Sequence, residues 1–465
     1  MSDWPDACAL LEQLRSGRRD VEAVVREHLH RLESGQSRLN AATEILREEA
    51  LEQARDPRPG PLSGLPISLK ETFALAGREV TIGSKRMPPI VCQEDAPVVR
   101  RLKDAGAIVI ARSNVPEFVM CAETDNLRFG RSRNPLDPRR TCGGSSGGEG
   151  ALVASGASAL GFGTDILGSI RIPAAFCGLV GFRPHSGAVD KQGVWPVSGP
   201  HFETWNGIGP LARSVRDVRL AYSVIAETPP SPPAEVAGLR LVVPEGFPLK
   251  IDAPAIGQAV VAARAGLKAA GMDEERPAFT DIPRLFDALP RLVTGEMLPL
   301  WRQWLSAAGA PFSPGREALA QVLRQPSIYP GLFLWFLLAP LYRPRTPERL
   351  AEVVALFDAA RVHYQDLLGS DGILCLPTLG MLAPRHGQMN RKTLLRPGLN
   401  GRITAHTFAN YINLSAITVP MPRFRDSRTG LVPGVMLAAA PGGEGPLLDC
   451  AAVLEDIGRD NKDRT

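Results

Sequence analysis

Residues 141–190 carry the densest glycine and serine in the chain, and they limit most sharply what it can fold into. The run Cys142-Gly143-Gly144-Ser145-Ser146-Gly147-Gly148-Glu149-Gly150 is too rich in glycine for an ordinary core segment. Glycine gives up side-chain packing and costs backbone entropy, so it concentrates where the backbone needs positive φ or a close approach. Apolar residues nevertheless recur through the stretch, so it reads as part of a folded site and not as a linker. Successive backbone N–H groups in such a loop form a concavity for negative charge. Two occupants suit it: a phosphate, or an oxyanion developing on a substrate. The phosphate reading lacks its companions, because GxxxxGK[ST] is absent and no GxGxxG follows a strand.

A serine becomes a nucleophile only when something takes its proton. None of the seven histidines (28, 30, 185, 201, 363, 386, 406) falls within the Gly/Ser loops; His185 lies just downstream, and 363, 386 and 406 read as ordinary surface or loop residues. Lys70 is the alternative base. It follows the apolar Pro66-Ile67-Ser68-Leu69, where burial lowers an amine's pKa. A formal GxSxG match over Gly144–Gly148 offers Ser146 as a hydrolase elbow, but the elbow needs a preceding strand and RSRNPLDPRRTCGG reads as loop. Ser146 is left between loop packing and direct chemistry. Cys142 abuts the site with nothing to activate its thiolate, so it reads as structural.

The rest of the chain sets the frame. At 465 residues and 44% hydrophobic it has material for a large core, and a net charge of +4 from 53 basic and 49 acidic residues gives no footprint for nucleic acid. Seven scattered cysteines form no CxxC pair, which argues against a disulfide scaffold or zinc site and leads us to expect a reducing cytosol. The N-terminus does not read as a signal peptide, and no 18-residue uncharged apolar stretch predicts a transmembrane helix. Neither a metal nor a cofactor is called for.

Residues 6–55 read as two helices with Gly17 and Gly35 as stops. LPISLK reads as a strand, and DAPVVRRLKDAGAIVIARSN as helix, glycine turn and strand, the alternation of an α/β protein. TPPSPPAEV (228–236) is a Pro-rich connector before a strand in GLRLVVPEGF. Residues 250–370 read as mostly helical, DGILCLPTLG and LSAITVPMP as buried strands, and PLLDCAAVLEDIG as a closing helix.

Three segments together carry a resemblance. They are Pro66-Ile67-Ser68-Leu69-Lys70-Glu71, then Gly143-Gly144-Ser145-Ser146-Gly147-Gly148, then Gly163-Thr164-Asp165-Ile166-Leu167-Gly168-Ser169-Ile170-Arg171-Ile172-Pro173. In wording and spacing they resemble the amidase signature family. NVPEF (114–118), FCGLVGFRPHSG (176–187), ITVPMP (417–422) and GVMLAAAPGGE (434–444) extend the likeness over nearly the whole chain except a divergent 225–370.

The resemblance implies one α/β domain over 1–465, a large twisted mixed β-sheet covered by helices on both faces, with 225–370 as a helical substrate-side insertion. It implies a Ser–Ser–Lys triad: Ser169 as the nucleophile, Ser145 as proton relay behind a cis Gly144–Ser145 peptide, and Lys70 as a neutral general base. The N–H groups of Ile166, Leu167, Gly168 and Ser169 would form the oxyanion hole, each such donor typically worth about 3 kcal/mol in kcat. Gly144, Ser146, Thr164, Asp165 and Arg171 are the supporting residues. Asp165 and Arg171 read equally well as a buried ion pair with no catalytic part.

Leu167 departs from the family, which usually has Gly or Ala there. If the backbone needs positive φ, a leucine is strained by about 1–2 kcal/mol. If not, its side chain projects into the acyl pocket or behind the loop into core. The wording of SLKE and GGSSGGEGAL resembles the fatty-acid-amide-hydrolase branch most, which implies lipophilic amide substrates. The apolar run LFLWFLLAPLY (332–342) is too short to span a bilayer and reads as buried helix, channel wall, or a helix facing a membrane or partner. A homodimer is one candidate assembly. The leading expectation is a serine amidohydrolase. Kept beside it are an acyl transferase on the same triad, a homologue impaired by Leu167, the glutaminase subunit of a tRNA-dependent amidotransferase, and a non-catalytic scaffold.

Overall fold

Short apolar runs become strands. In chain order these are β1 (Ala42–Ile45), β2 (Pro66–Lys70), β3 (Glu79–Val80), β4 (Ile90–Val91), β5 (Ile108–Ser113), β6 (Leu160–Asp165), β7 (Val180–Arg183), β8 (Gly207–Ala212), β9 (Arg240–Val242), β10 (Asp273–Glu275), β11 (Gly372–Pro377), β12 (Ser415–Pro420) and β13 (Gly434–Ala439). The central strands β2, β5, β6, β7, β8, β11, β12 and β13 are buried at every position, while the outer strands are partly exposed. The computed structural model describes residues 4–196, 198–307, 309, 311–389 and 401–459. β3 and β4 pair with each other; the others form an 11-stranded sheet in the order β1-β5-β2-β6-β8-β7-β12-β13-β11-β9-β10. The sheet is mixed: β2 runs parallel to β5 and β6, β9 to β11 and β10, and the remaining pairs are antiparallel.

Core lies on both faces. Along β5, Ile108 and Ile110 pack into one apolar cluster and Val109 into another, as alternate residues of a strand must when both faces are covered. The first cluster includes Val25 and Leu29 from the helix Val21–Leu39, Leu152 from the helix Gly147–Ala154, and Ala174 from the helix Arg171–Cys177. The second is larger and takes in Val218 of the helix Val215–Ile225, Ala263 of Pro254–Ala269 and Leu448 of Glu444–Gly458.

Most sequence expectations are met: the strands in LPISLK, AIVIARS, GLRLVV, DGILCLP and LSAITVP, the closing helix, and the helical character of 250–370. Residues 6–55 differ. They hold three helices, Ala7–Arg15, Val21–Leu39 and Arg47–Arg55, with β1 between the last two. Gly35 does not stop the second helix, because an interior glycine costs only about 1 kcal/mol and packing outweighs it. The helix ends instead at Asn40, which adopts the left-handed conformation (φ 48°). The sequence does not announce β7 or β8. β7 has four residues, and β8 contains Gly207, Gly209 and Pro210, which argue against a central strand.

This topology prepares a site. β2 and β6 are parallel neighbours, so their C-terminal residues, Lys70 and Asp165, reach the same edge of the sheet. Open parallel sheets bind ligands beyond such carboxyl ends.

Candidate active site

Lys70 closes a strand buried at every position and is itself fully buried. Its Nζ lies 2.8 Å from Ser145 Oγ and 2.7 Å from Thr164 Oγ1. Burial drives the amine down to about 7, against the pull of Asp165 and Glu149. Glu149, on the first turn of the helix Gly147–Ala154, is pushed up to about 8 by its own burial, and Ser68 Oγ donates to it.

Ser145 follows a cis Gly144–Ser145 peptide. A Cβ on Gly144 would lie 2.6 Å from Cys121 O and 2.9 Å from Glu123 N, so only glycine fits there. Ser146 stands inside the fold. It is fully buried, its N–H donates to Ser169 O at 3.1 Å, and its Oγ donates to Thr164 O at 3.4 Å. It pins the serine-rich loop to the next loop, and no strand precedes it, so the elbow geometry is not formed.

The loop after β6 is organised by Asp165. Its carboxylate accepts from the N–H of Gly168 (2.7 Å) and Ile170 (3.1 Å), from Arg171 Nε (3.0 Å) and from Asn410 Nδ2 (2.9 Å). Burial raises the Asp165 pKa, but the Arg171 guanidinium and these donors outweigh it and hold the carboxyl below its ordinary range. Arg171, also fully buried, donates onward to His406 O at 2.8 Å and to Asn410 Oδ1 at 2.5 Å. Asp165 and Arg171 thus form a buried ion pair.

Two expectations about this loop are refined. Gly168 has φ 98°, while Leu167 is not among the residues with positive φ, so the leucine is not strained there. And the Gly168 N–H is taken by Asp165, so it does not stand free as an oxyanion donor. The N–H groups of Ile166, Leu167 and Ser169 have no hydrogen-bond partner among the described residues.

Gly144, Ser145, Thr164, Ile166, Leu167 and Ser169 all line one cavity of about 130 Å³. Ser169 is half-buried and Ser145 fully buried. The remaining walls are mostly apolar and include Phe118, Ile172, Phe286, Met297 and Trp335, with no Asp, Glu, Lys or Arg among the described lining residues. Phe118 and Val119 both have positive φ (52° and 61°), an unusual conformation for a bulky or β-branched residue and one that accumulates at functional sites. Trp335 comes from the helix Pro330–Tyr342, which holds the 332–342 run. That helix buries Leu332, Phe333, Trp335, Phe336 and Ala339 and exposes Leu337 and Leu341, so it is cavity wall on one side and apolar surface on the other.

Similarity to known proteins decides the family. The family model for Amidase matches residues 23–448. The chain belongs to the amidase family. Curated relatives include Amidase 1 of Gibberella moniliformis (38% identical, covering 48% of this chain and 44% of the relative). They also include a glutamyl-tRNA(Gln) amidotransferase subunit of Carboxydothermus hydrogenoformans (37%, covering 47% and 46%). The chain spans about half the length of the curated relatives it matches. A solved amidase superposes with a TM-score of 0.79 at 27% identity over 97% of this chain and 99% of that one. A fatty acid amide hydrolase, at 20% identity, shares the amidase fold with a TM-score of 0.78 over 98% and 85%.

The sequence reading of His406 as a surface or loop residue is corrected. His406 is 2% exposed, lies in the helix Thr404–Tyr411, and lines the cavity beside Gly168. Every residue of that helix is buried although it holds Thr, His and Asn. A signal existed in the sequence: His406 and Asn410 stand one helical turn apart on a segment otherwise apolar enough for core.

Proposed function

We propose that this chain is a serine amidohydrolase that cleaves a carbon–nitrogen amide bond through an acyl-enzyme on Ser169. The observation that carries the reading is the fully buried Lys70 with Nζ 2.8 Å from the Oγ of Ser145, a serine that lines the same cavity as Ser169. A neutral amine has one lone pair and two N–H groups. Thr164 O, an acceptor only, and Thr164 Oγ1 take the N–H side, which leaves the lone pair for the Ser145 proton.

In the first step Ser169 Oγ attacks the substrate carbonyl carbon. Its proton passes to Ser145 Oγ as the Ser145 proton passes to Lys70 Nζ. The tetrahedral oxyanion is met by the free N–H groups of Ile166, Leu167 and Ser169, each worth about 3 kcal/mol. Collapse breaks the C–N bond, and the proton returns from Lys70 through Ser145 to the departing amine. Water then repeats the sequence on the acyl-enzyme and releases the acid.

The uncharged, mostly apolar walls support a lipophilic acyl or amine group. They speak against free glutamine, whose ammonium and carboxylate would be buried with no charged partner among the described lining residues, and so against the glutaminase reading. Leu167 is not among the residues with positive φ, so backbone strain gives no support to an impaired homologue. The exposed Leu319, Val322, Leu323, Leu337 and Leu341 support peripheral contact with a lipid surface beside the cavity wall. No described helix is long and apolar enough to cross a membrane. All seven cysteines are free thiols, which supports a cytosolic setting. One sheet drawing strands from Ala42 to Ala439 supports reading the chain as one catalytic domain.

A fluorophosphonate probe tests the reading. Covalent labelling of the wild type, abolished in Ser169→Ala and reduced by orders of magnitude in Lys70→Ala, is the expected result. An unlabelled wild type, or labelling that survives Ser169→Ala, overturns it.

A further inference from the structure

His406 has no part in the relay above, yet its ring stands at the cavity wall. Its Nδ1 lies 3.3 Å from Thr378 O. A carbonyl only accepts, so Nδ1 carries the proton and Nε2 presents a bare lone pair. The Nε2 edge faces the loop that precedes the nucleophile: a Cβ built on Gly168 would lie 2.2 Å from His406 Cδ2 and 3.0 Å from Nε2. No described residue donates to Nε2. Burial, then the nearby Arg171 charge, push the imidazole down to about 3, so it stays neutral and accepting through the ordinary pH range. The side chains of Ile172, Ile403 and Leu167, which share the cavity wall with it, carry no donor.

Building on the reading of Ser169 as nucleophile, we propose that His406 Nε2 is a substrate-contacting acceptor that selects an N–H or O–H donor on an atom bonded to the substrate's carbonyl carbon or one bond beyond it. Position sets that range, since the ring abuts Gly168 and Gly168 precedes Ser169. The donor has two sources: the N–H of the scissile amide, or a hydroxyl or N–H on the first carbon of the acyl group. Selectivity follows from the cost of an unmet acceptor. A ligand that fills the cavity without a donor strips water from Nε2 and leaves it unpaired, which disfavours it by about 10- to 100-fold against an isostere with the donor.

Two matched pairs separate the sources. One is an anilide and the aryl ester of the same acid; the other is a 2-hydroxyacyl and a 2-methylacyl anilide. Each is assayed with wild type, His406→Phe, which keeps the ring and removes the acceptor, and His406→Gln, which restores an acceptor. The expected result is a fall of about 10-fold or more in the kcat/KM ratio of one pair in His406→Phe, recovered in His406→Gln. A change in the first pair assigns the scissile N–H; a change in the second assigns the acyl donor. If neither ratio moves while fluorophosphonate still labels Ser169, the proposal is overturned and the nucleophile reading stands. An unlabelled wild type sinks the nucleophile reading instead. Should His406→Phe fail to fold, histidine ¹⁵N spectra of Ser169→Ala give a second measurement: Nε2 must shift with a donor-bearing anilide, and an unmoved resonance overturns the proposal.

Discussion

The Gly168 N–H donates to Asp165 Oδ1 at 2.7 Å, and the same carboxylate is locked to Arg171 through Nε at 3.0 Å. One buried anion thus shapes the loop that carries Ser169 and answers a buried cation. Asp165→Asn keeps the size but leaves the Arg171 guanidinium without a counter-charge. Breaking one partner of a buried pair typically costs about 3–5 kcal/mol. Denaturant unfolding of Asp165→Asn should show a loss of that order, with activity lost in parallel. A stability within about 1 kcal/mol of wild type would mean that the pair does not hold the loop.

Gly168 itself tolerates no side chain. Its φ of 98° is foreign to L-residues, and an added Cβ would meet His406 Cδ2 at 2.2 Å. Gly168→Ala should therefore lose about 1–2 kcal/mol from the backbone alone, and more from the displaced ring. Thermal unfolding measures the sum. The double variant Gly168→Ala/His406→Ala removes the collision and should recover part of the loss, which separates the two terms.

Lys70 makes a prediction with a defined sign. The folded protein holds the amine at about 7, whereas its ordinary value is 10.5. As pH falls through 7 the base becomes protonated, so kcat/KM should decline tenfold per pH unit below about 7 and level off above it. Stability runs in the matching direction. Between pH 10.5 and 7 the unfolded chain takes up this proton while the folded one does not, so this group makes the fold progressively less stable as pH falls across that window. Lys70→Met should be inactive and, at pH 7, more stable than wild type by a few kcal/mol, on the order of the shift itself. The advantage should shrink towards pH 10.5. A flat stability difference across that range would show that Lys70 is charged in the fold.

What the sequence disclosed depended on how local the physics was. LPISLK announces a buried strand because every neighbour of Lys70 within it is small or apolar, and the serine-glycine runs announce a loop because no other composition allows Gly144 to pass within reach of Cys121 O. The Asp165–Arg171 pair is legible for the same reason, being six residues apart. For His406 the sequence shows only its helical spacing with Asn410; its place at the cavity does not show, since its neighbours Gly168 and Thr378 lie in the loops just beyond β6 and β11, which only the completed sheet brings together. The Gly168 amide is hidden too, because the sequence cannot show which acceptor a backbone N–H turns to. β8 escapes because Pro210, opposite Phe162, sits in the middle of a central sheet where proline is rare.

Leu167 gives the last prediction. It stands beside Ile166 in the cavity wall, half-buried, with ordinary backbone, so its effect is one of volume. If Ser169 is the nucleophile as proposed, a leucine lining the same cavity narrows the space for the acyl group. Leu167→Ala opens that space without altering the N–H groups that face the oxyanion. Against anilides of graded acyl size, kcat/KM for the smallest acyl group should change little. For groups branched near the carbonyl it should rise by about 10-fold, since one or two methylenes of fit in an apolar pocket are worth about 1–3 kcal/mol. A uniform change across the series would assign Leu167 to the loop's conformation. An unchanged profile would mean that the acyl group does not lie against it.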